Sequence, residues 1–521
     1  MTLRGTLSNT RRVNLALIFL CAAISIIPLL YLQIPPLSDV LGHIGRYHVQ
    51  LNLAHDADLQ RFYGFHWSFI GNLGVDLLVQ IFGPIFGIEP AVKLIVIAII
   101  GLTSASFMAV SREAHGRIGA AALFALPLAY GFPFQFGFIN YCLSMACAFA
   151  GFALWLRLAK LQRLGLRAII FAPGAVMLWV VHVSGWGAFG LFAFAAEVVR
   201  HRESGRTWFE TLRGAVIGCL PLAIPAVIMI VAALTGGATG EGGGTGGWFQ
   251  WNIKRQWFMM ALSQESKAFD IFSVMLLLFI VAASAILSKI RFDKTLGLAA
   301  LLLFTAYILT PLILLSSAYA DMRLAPFVLA MALLAVDTRQ PGNARFRTVI
   351  MAAGMIFFLV RTAATTDYYR RYDTLLQSEF AAIDHMPRGA RVASFITNGC
   401  NPEWALNRRT HVPSIALARR SIFTNDQFIM PGAQLIQIRY VDGFPFDRDP
   451  TQLIKPAGCI RDDLLTLPQS IAKLPRDSFD FVWLIARAGD PPFNFAGFDK
   501  VWQGGEHNRS ALYRIKHSPE R

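Results

Sequence analysis

The sequence predicts a polytopic α-helical membrane protein with a small C-terminal α/β domain, and three observations carry that prediction. Hydrophobic residues make up 55% of the 521 positions and charged residues only 15%, where soluble domains carry roughly a quarter. Long apolar runs recur at 13–31, 91–110, 268–288, 295–316 and 347–360, of the kind a hydrocarbon core selects. Beyond residue 365, prolines, turns and polar residues replace those runs.

The first run, VNLALIFLCAAISIIPLLY, reads as an uncleaved anchor, because it is long and many spans follow it. The net charge of +15 has a membrane explanation. Lys and Arg gather in short loops such as RLAKLQRLGLR (157–167), RHRESGR (200–206), SKIRFDK (288–294) and DTRQPGNARFR (337–347). Retention of positive residues on the cytoplasmic side accounts for this pattern without a nucleic-acid partner.

Those loops predict sidedness. The basic N-terminus lies inside and 34–67 forms an external loop. Helices at 135–156, 168–182, 183–199 and 212–234 then alternate, and 235–267 is a second external loop. Further helices at 268–288, 295–316, 323–337 and 347–365 leave 366–521 outside. The expected domains are thus 1–365, transmembrane, and 366–521, extracytoplasmic, with about 11 to 12 helices in all. Two apolar segments, 69–86 and 91–110, precede SREAHGR (111–117), which reads as cytoplasmic. Two full crossings would return that loop to the outside. The segment 69–86 carries Asn72, Asp76, Gln80 and Pro84, so it is expected to be shallow or broken.

In the tail, RGARVASFI (388–396), FDFVWLIA (479–486) and SALYRIKH (510–517) read as strands, with LLQSEFAAIDHM as a helix ahead of them. Cys21, Cys142, Cys147 and Cys219 fall in apolar helices, where cysteine behaves as a small hydrophobe. Cys400 and Cys459 fall in the tail. An oxidising compartment favours a disulfide between them; two free buried thiols are the alternative.

Chemistry concentrates just after the first span, in QIPPLSDVLGHIGRYHVQ (33–50). On a helix, Asp39, His43 and Arg46 share one face, offering an acid, a proton carrier or metal ligand, and an anion clamp. A solvated loop that includes His48 is the plain alternative. In HDADLQRFYGFHW (55–67), His55 and Asp58 are spaced to hold a divalent metal, while a wet amphipathic helix with Phe62, Phe65 and Trp67 at the interface fits equally.

Asn72 and Asp76 need partners inside the protein. His182, in VVHVSGWG, suits either a substrate phosphate or a helix cap. Arg323 suits a bidentate lipid-phosphate contact or a snorkelling position. The glycine-rich 236–257 lacks the GK[ST] of a phosphate loop. Its continuation, with Trp251, Lys254 and Arg255, suits a helix lying in the interface. There is no GxSxG, HExxH or Ser-His-Asp spacing to mark a protease or esterase, and no internal repeat of the kind transporters show.

An inside N-terminus, one span, an acid soon after it in PPLSDVLGHIGRYH, about a dozen helices with basic inner loops and an external terminal domain resemble the GT-C superfamily of integral-membrane glycosyltransferases. The likeness is to bacterial members related to the users of dolichyl-phosphate-mannose and undecaprenyl-phosphate sugars. Paired neighbouring acids, frequent in that superfamily, are absent: after Asp39 the next acids are Asp56 and Asp58.

The resemblance implies a multi-pass protein of the bacterial inner membrane, embedded in the lipid bilayer. It would move a sugar from a polyprenyl-phosphate-linked donor to an external glycan, lipid or protein acceptor, with inversion. Asp39 would be the general base. His43, Arg46, His182, Arg323, Trp251 and Arg255 would contact substrate. No cofactor is assigned, and a divalent metal held by His55 and Asp58 is an open alternative. Asp39, Arg46, His182 and Arg323 are then expected to converge on one external cavity. The competing class is a transporter, or an envelope-assembly scaffold whose external domain binds a partner.

Overall fold

The computed structural model describes residues 2–234, 244–286, 291–314, 317–338, 344–400, 404–427, 429, 434–447, 449–461 and 463–517. Parts of the glycine-rich segment and of the loops at 288–294 and 337–347 lie outside the described residues. The chain is mostly helical and divides into two compact units. One comprises 1–30, 69–75 and 95–366; the other comprises 31–68, 76–94 and 367–521.

In the first unit and along the chain, six helices among the described residues are long and apolar enough to cross a membrane: Val13–Leu30, Ile88–His115, Ile139–Lys160, Leu164–Val181, Lys267–Ile286 and Ala344–His385. A seventh arises if Trp208–Leu222 and Ile224–Val231, bent by 68° at their junction, form one span. Gly74–Phe86, Ala122–Phe136, Lys294–Leu309 and Met322–Ala335 are shorter apolar helices. The segment expected to be shallow or broken is helical only over Gly74–Phe86, 13 residues. At 1.5 Å per residue this is about 20 Å, short of a hydrocarbon core.

Within the first unit, the helix Val183–Glu203 packs on Ile139–Lys160, Trp208–Cys219 and Lys294–Leu309. Its Phe192 meets Phe149 with 5.1 Å between ring centres, and Phe149 in turn meets Phe107 at 4.8 Å. Charges among these apolar helices are paired, as a low dielectric demands. Asp270 accepts from Arg361 at 2.6 Å, and Lys254 meets Asp321 at 3.0 Å.

The second unit is built on a mixed five-stranded sheet. Its strand order is Phe498–Gly504, Ser510–Ile515, Phe481–Ile485, Arg391–Ile396, Phe423–Thr424. The first three are antiparallel neighbours and the last three parallel. The sequences VASFI and FVWLI are unbroken apolar runs because both faces of these strands are covered: every residue of Phe481–Ile485 is buried. The three strands expected at 388–396, 479–486 and 510–517 are the three inner strands of this sheet. Cys400 and Cys459 are joined by a disulfide, with Cα atoms 4.8 Å apart.

Residues 31–68 and 76–94, expected to be part of the membrane domain or its loop, group instead with the tail. For 76–94, Asp76 pairs with Arg46 and Glu89 accepts from Arg419 at 2.8 Å; for 31–68, two contacts explain the grouping. Tyr63–Phe65 pairs antiparallel with Ile436–Ile438, and the helix Ser38–Asn52 lies along the helix Pro413–Arg420. The second contact depends on Gly45, where a Cβ would come within 2.9 Å of the Cβ and backbone oxygen of Ser414.

Candidate functional site

The helix that carries Asp39 begins where the sequence forces a new start. Pro35 and Pro36 cannot extend the preceding helix, Leu37 is extended at φ −105° and ψ 137°, and Ser38–Asn52 follows. The carbonyl of Pro36 accepts a hydrogen bond from the wholly buried Arg408. That guanidinium sits among the rings of Tyr368, Tyr369 and Tyr372, its carbon 5.1, 5.5 and 5.8 Å from their centres. A cation held by three rings thus fixes the entry to the helix.

Asp39 stands in the first turn, where the helix dipole favours a carboxylate. Its Oδ1 lies 4.0 Å from Nε2 of His411, and its side chain retains 16% exposure. His411 occupies the turn just before Pro413 opens its helix. Its Nδ1 lies 2.9 Å from the backbone oxygen of Asp426. A carbonyl only accepts, so Nδ1 carries the proton and the lone pair of Nε2 is left on the Asp39 side.

The Asp426 carboxyl backs this arrangement, 3.9 Å from the same Nδ1. Its Oδ2 accepts from the backbone N and the hydroxyl of Ser414, at 2.9 and 2.7 Å. Burial pushes the Asp426 carboxyl above the usual carboxylate range, with His411 and the Ser414 donors opposing in part. Gln427 completes the cradle by donating to Gly42 O at 3.2 Å and to the Ser414 hydroxyl. The site is therefore an imidazole between two carboxyls, one buried and fixed, one at the rim. The Ser414 hydroxyl donates to the Asp426 carboxyl, not to the His411 ring, so the group is not a nucleophilic serine triad.

His43, one turn beyond Asp39, is held well below the ordinary imidazole range, first by burial and then by Arg46 and His411. It is neutral at physiological pH, suited to polar contact. Arg46 does not reach outward. It is 4% exposed and forms a buried ion pair with Asp76, while Gln50 donates to the Asp76 backbone oxygen at 3.0 Å. The expected anion clamp is thus a structural tie, because a buried guanidinium needs a carboxylate partner.

His48 and its neighbours are also structural. Its Nε2 lies 3.1 Å from the Ser421 hydroxyl, which itself donates to Asp56 at 2.6 Å. Asp56 caps the helix Ala57–Phe62 through the backbone N of Asp58 and Leu59. Burial would raise the Asp56 pKa, but donors from Ser421, Leu59 and Arg388 hold it below the usual range.

The metal reading of His55 and Asp58 meets a competing cation. Asp58 pairs with Arg388 at 3.3 Å, Arg388 also binds Asp56, and His55 is exposed. Among the described residues no three His, Cys, Asp or Glu side chains gather as a metal would need.

His182, Arg323, Trp251 and Arg255 belong to the first unit, and Asp39, His43 and Arg46 to the second. His182 caps Val183–Glu203, its Nδ1 accepting from Ser184 N at 3.1 Å. Tyr141 links it to Arg323: its ring is edge-on to His182 at 5.6 Å, and its hydroxyl donates to Arg323 O at 2.7 Å. The Arg323 guanidinium donates to Ala318 O and lies 4.0 Å over the Phe138 ring. On Trp251–Met259 the buried cation is Lys254, bonded to Tyr307 O, Thr310 O and Asp321, while Trp251 and Arg255 are exposed.

No model of a known protein family matches the chain, and no curated protein does.

Proposed function

We propose that this protein is a membrane glycosyltransferase with Asp39 as general base, acting with inversion on a polyprenyl-phosphate-linked sugar. The observation that supports it is the approach of His411 to Asp39, 4.0 Å, with the histidine oriented by Asp426. Asp39 takes the proton of an acceptor hydroxyl. The freed oxygen electron pair forms a bond to the sugar C1, and the bond from C1 to the phosphate oxygen breaks, its pair leaving with the polyprenyl phosphate. A base that later gives its proton to a neighbouring imidazole lone pair is reset for the next cycle, which His411 Nε2 permits.

The six helices long and apolar enough to cross a membrane and the basic loops support a membrane setting. We assign the bacterial inner membrane, with the N-terminus cytoplasmic and the tail outside, where lipid-linked sugars and envelope acceptors meet. Purified protein incubated with labelled polyprenyl-phosphate sugars, wild type beside Asp39→Asn, tests the reading. Transfer by the wild type and loss in the variant support it. A wild type that binds no lipid-linked sugar favours the transporter or scaffold alternative.

A further inference from the structure

A second site is built within the first unit. A cavity of about 310 Å³ is lined by Arg167, Arg200, His201 and Arg206 on one side and by apolar residues, among them Leu164 and Ile217, on the other. The carboxylate beside it, Glu197, is engaged through both oxygens. One carboxylate oxygen takes Arg167 at 2.6 Å, and the other takes Arg200 at 3.0 and 2.5 Å. Two of the three lining arginines thus share Glu197, while Arg206, whose charge reaches Glu210, and His201 add to the basic character of the cavity.

The cluster is rigid. Arg167 is 4% exposed and stacks 3.8 Å from the Trp155 ring centre. Gly214 and Gly218, one turn apart, let the helix Trp208–Cys219 close over the charges. A Cβ at Gly214 would lie 2.7 Å from His201 Nε2, and one at Gly218 would lie 2.9 Å from Glu197 Oε2. At the rim, Arg206 is exposed and forms no ion pair among the described residues, and Arg200 is partly exposed.

We infer that this cavity binds the phosphate of an anionic ester, either a phospholipid headgroup or a soluble phosphate. Arginine forks suit phosphate oxygens, and basic pockets between membrane helices accept anionic headgroups. The apolar wall, continuous with the exposed Val216, Ile217 and Leu220, gives an acyl chain a surface to follow.

The test uses the full chain in neutral detergent and native mass spectrometry, titrating dioleoyl-phosphatidylglycerol, dioleoyl-phosphatidylcholine or inorganic phosphate. Phosphatidylglycerol should bind in preference to phosphatidylcholine, and Arg206→Gln and Arg200→Gln should each weaken it about fivefold or more. Arg202→Gln removes the same charge from the end of the helix that carries Arg200; Arg202 stacks on Trp208 and donates to the Arg206 backbone oxygen, a bond glutamine can keep, and it does not line the cavity, so the variant should bind as wild type. Inorganic phosphate bound with the same variant pattern, and no lipid preference, assigns the site to a soluble phosphate. Equal binding by all variants, an equal loss in Arg202→Gln, or no retention of either anion overturns the proposal.

Discussion

Nε2 of His411 lies 4.0 Å from Oδ1 of Asp39, bringing a residue of the C-terminal tail to the first acid after the first long apolar helix. Removing the imidazole while keeping the fold should slow proton removal and leave substrate binding largely intact. For His411→Gln the expected outcome is a fall in kcat of about 10²-fold with KM little changed. Steady-state transfer assays measure both. A KM effect with normal kcat would make His411 a binding residue.

In the proposed reaction Asp426 is a positioning residue, because its backbone oxygen accepts from His411 Nδ1 and its carboxyl lies 3.9 Å from the same atom. Asp426→Asn keeps the backbone carbonyl that accepts from Nδ1 but removes the carboxyl that Ser414 holds. The loss in kcat should be smaller than for His411→Gln, and the pH–rate profile should change shape. An unchanged profile in an active variant contradicts the assignment.

The buried pair Arg46–Asp76 should be costly to break and cheap to replace. Arg46→Met alone leaves a buried carboxylate and should cost about 3–5 kcal/mol, whereas Arg46→Met with Asp76→Leu should recover much of that loss. Denaturation of the four proteins of the double-mutant cycle in one detergent measures the coupling.

Burial lowers the His48 pKa to about 4, Arg388 adding to the effect and Asp56 opposing it. Below an unfolded value of about 6.5, the unfolded chain binds the proton and the folded chain does not. Stability from this group therefore falls as pH falls from about 6.5 to 4, by about 2–3 kcal/mol across the window. His43, also lowered by burial, acts in the same direction, while the raised Asp426 acts in the opposite one. Comparison of His48→Gln with wild type isolates the group: the variant should lose less stability over that window.

Gly45 sets the spacing between the helix of Asp39 and that of Ser414. Gly45→Ala should cost about 1–3 kcal/mol by overpacking and should lower kcat by moving Asp39 from His411. Thermal melts and transfer assays on one preparation separate the two effects. A more stable and fully active Gly45→Ala would show that the helices have room.

Much of this architecture is legible in the sequence. The apolar runs mark the long helices, and the apolar strings VASFI, FVWLI and SALYRI mark the inner strands. The i, i+4 spacing puts Asp39 and His43 on one face. His411 and Asp426 are not legible, because one histidine and one aspartate in a polar tail have no periodicity; contacts distant in sequence, such as the pairing of Tyr63–Phe65 with Ile436–Ile438 and the packing of Ser38–Asn52 on Pro413–Arg420, carry them to Asp39. Arg46 misleads for a related reason. Its carboxylate partner, Asp76, lies in the short helix Gly74–Phe86, and spacing along a single helix does not reveal a partner on another.

The general-base role of Asp39 is tested most directly by single-turnover transfer from a labelled polyprenyl-phosphate sugar to acceptor, comparing wild type with Asp39→Asn. Asparagine keeps the shape and cannot take the proton. The chemical step should slow by about 10²–10⁴-fold while lipid-linked sugar is still bound. Transfer by Asp39→Asn at the wild-type rate would contradict the account.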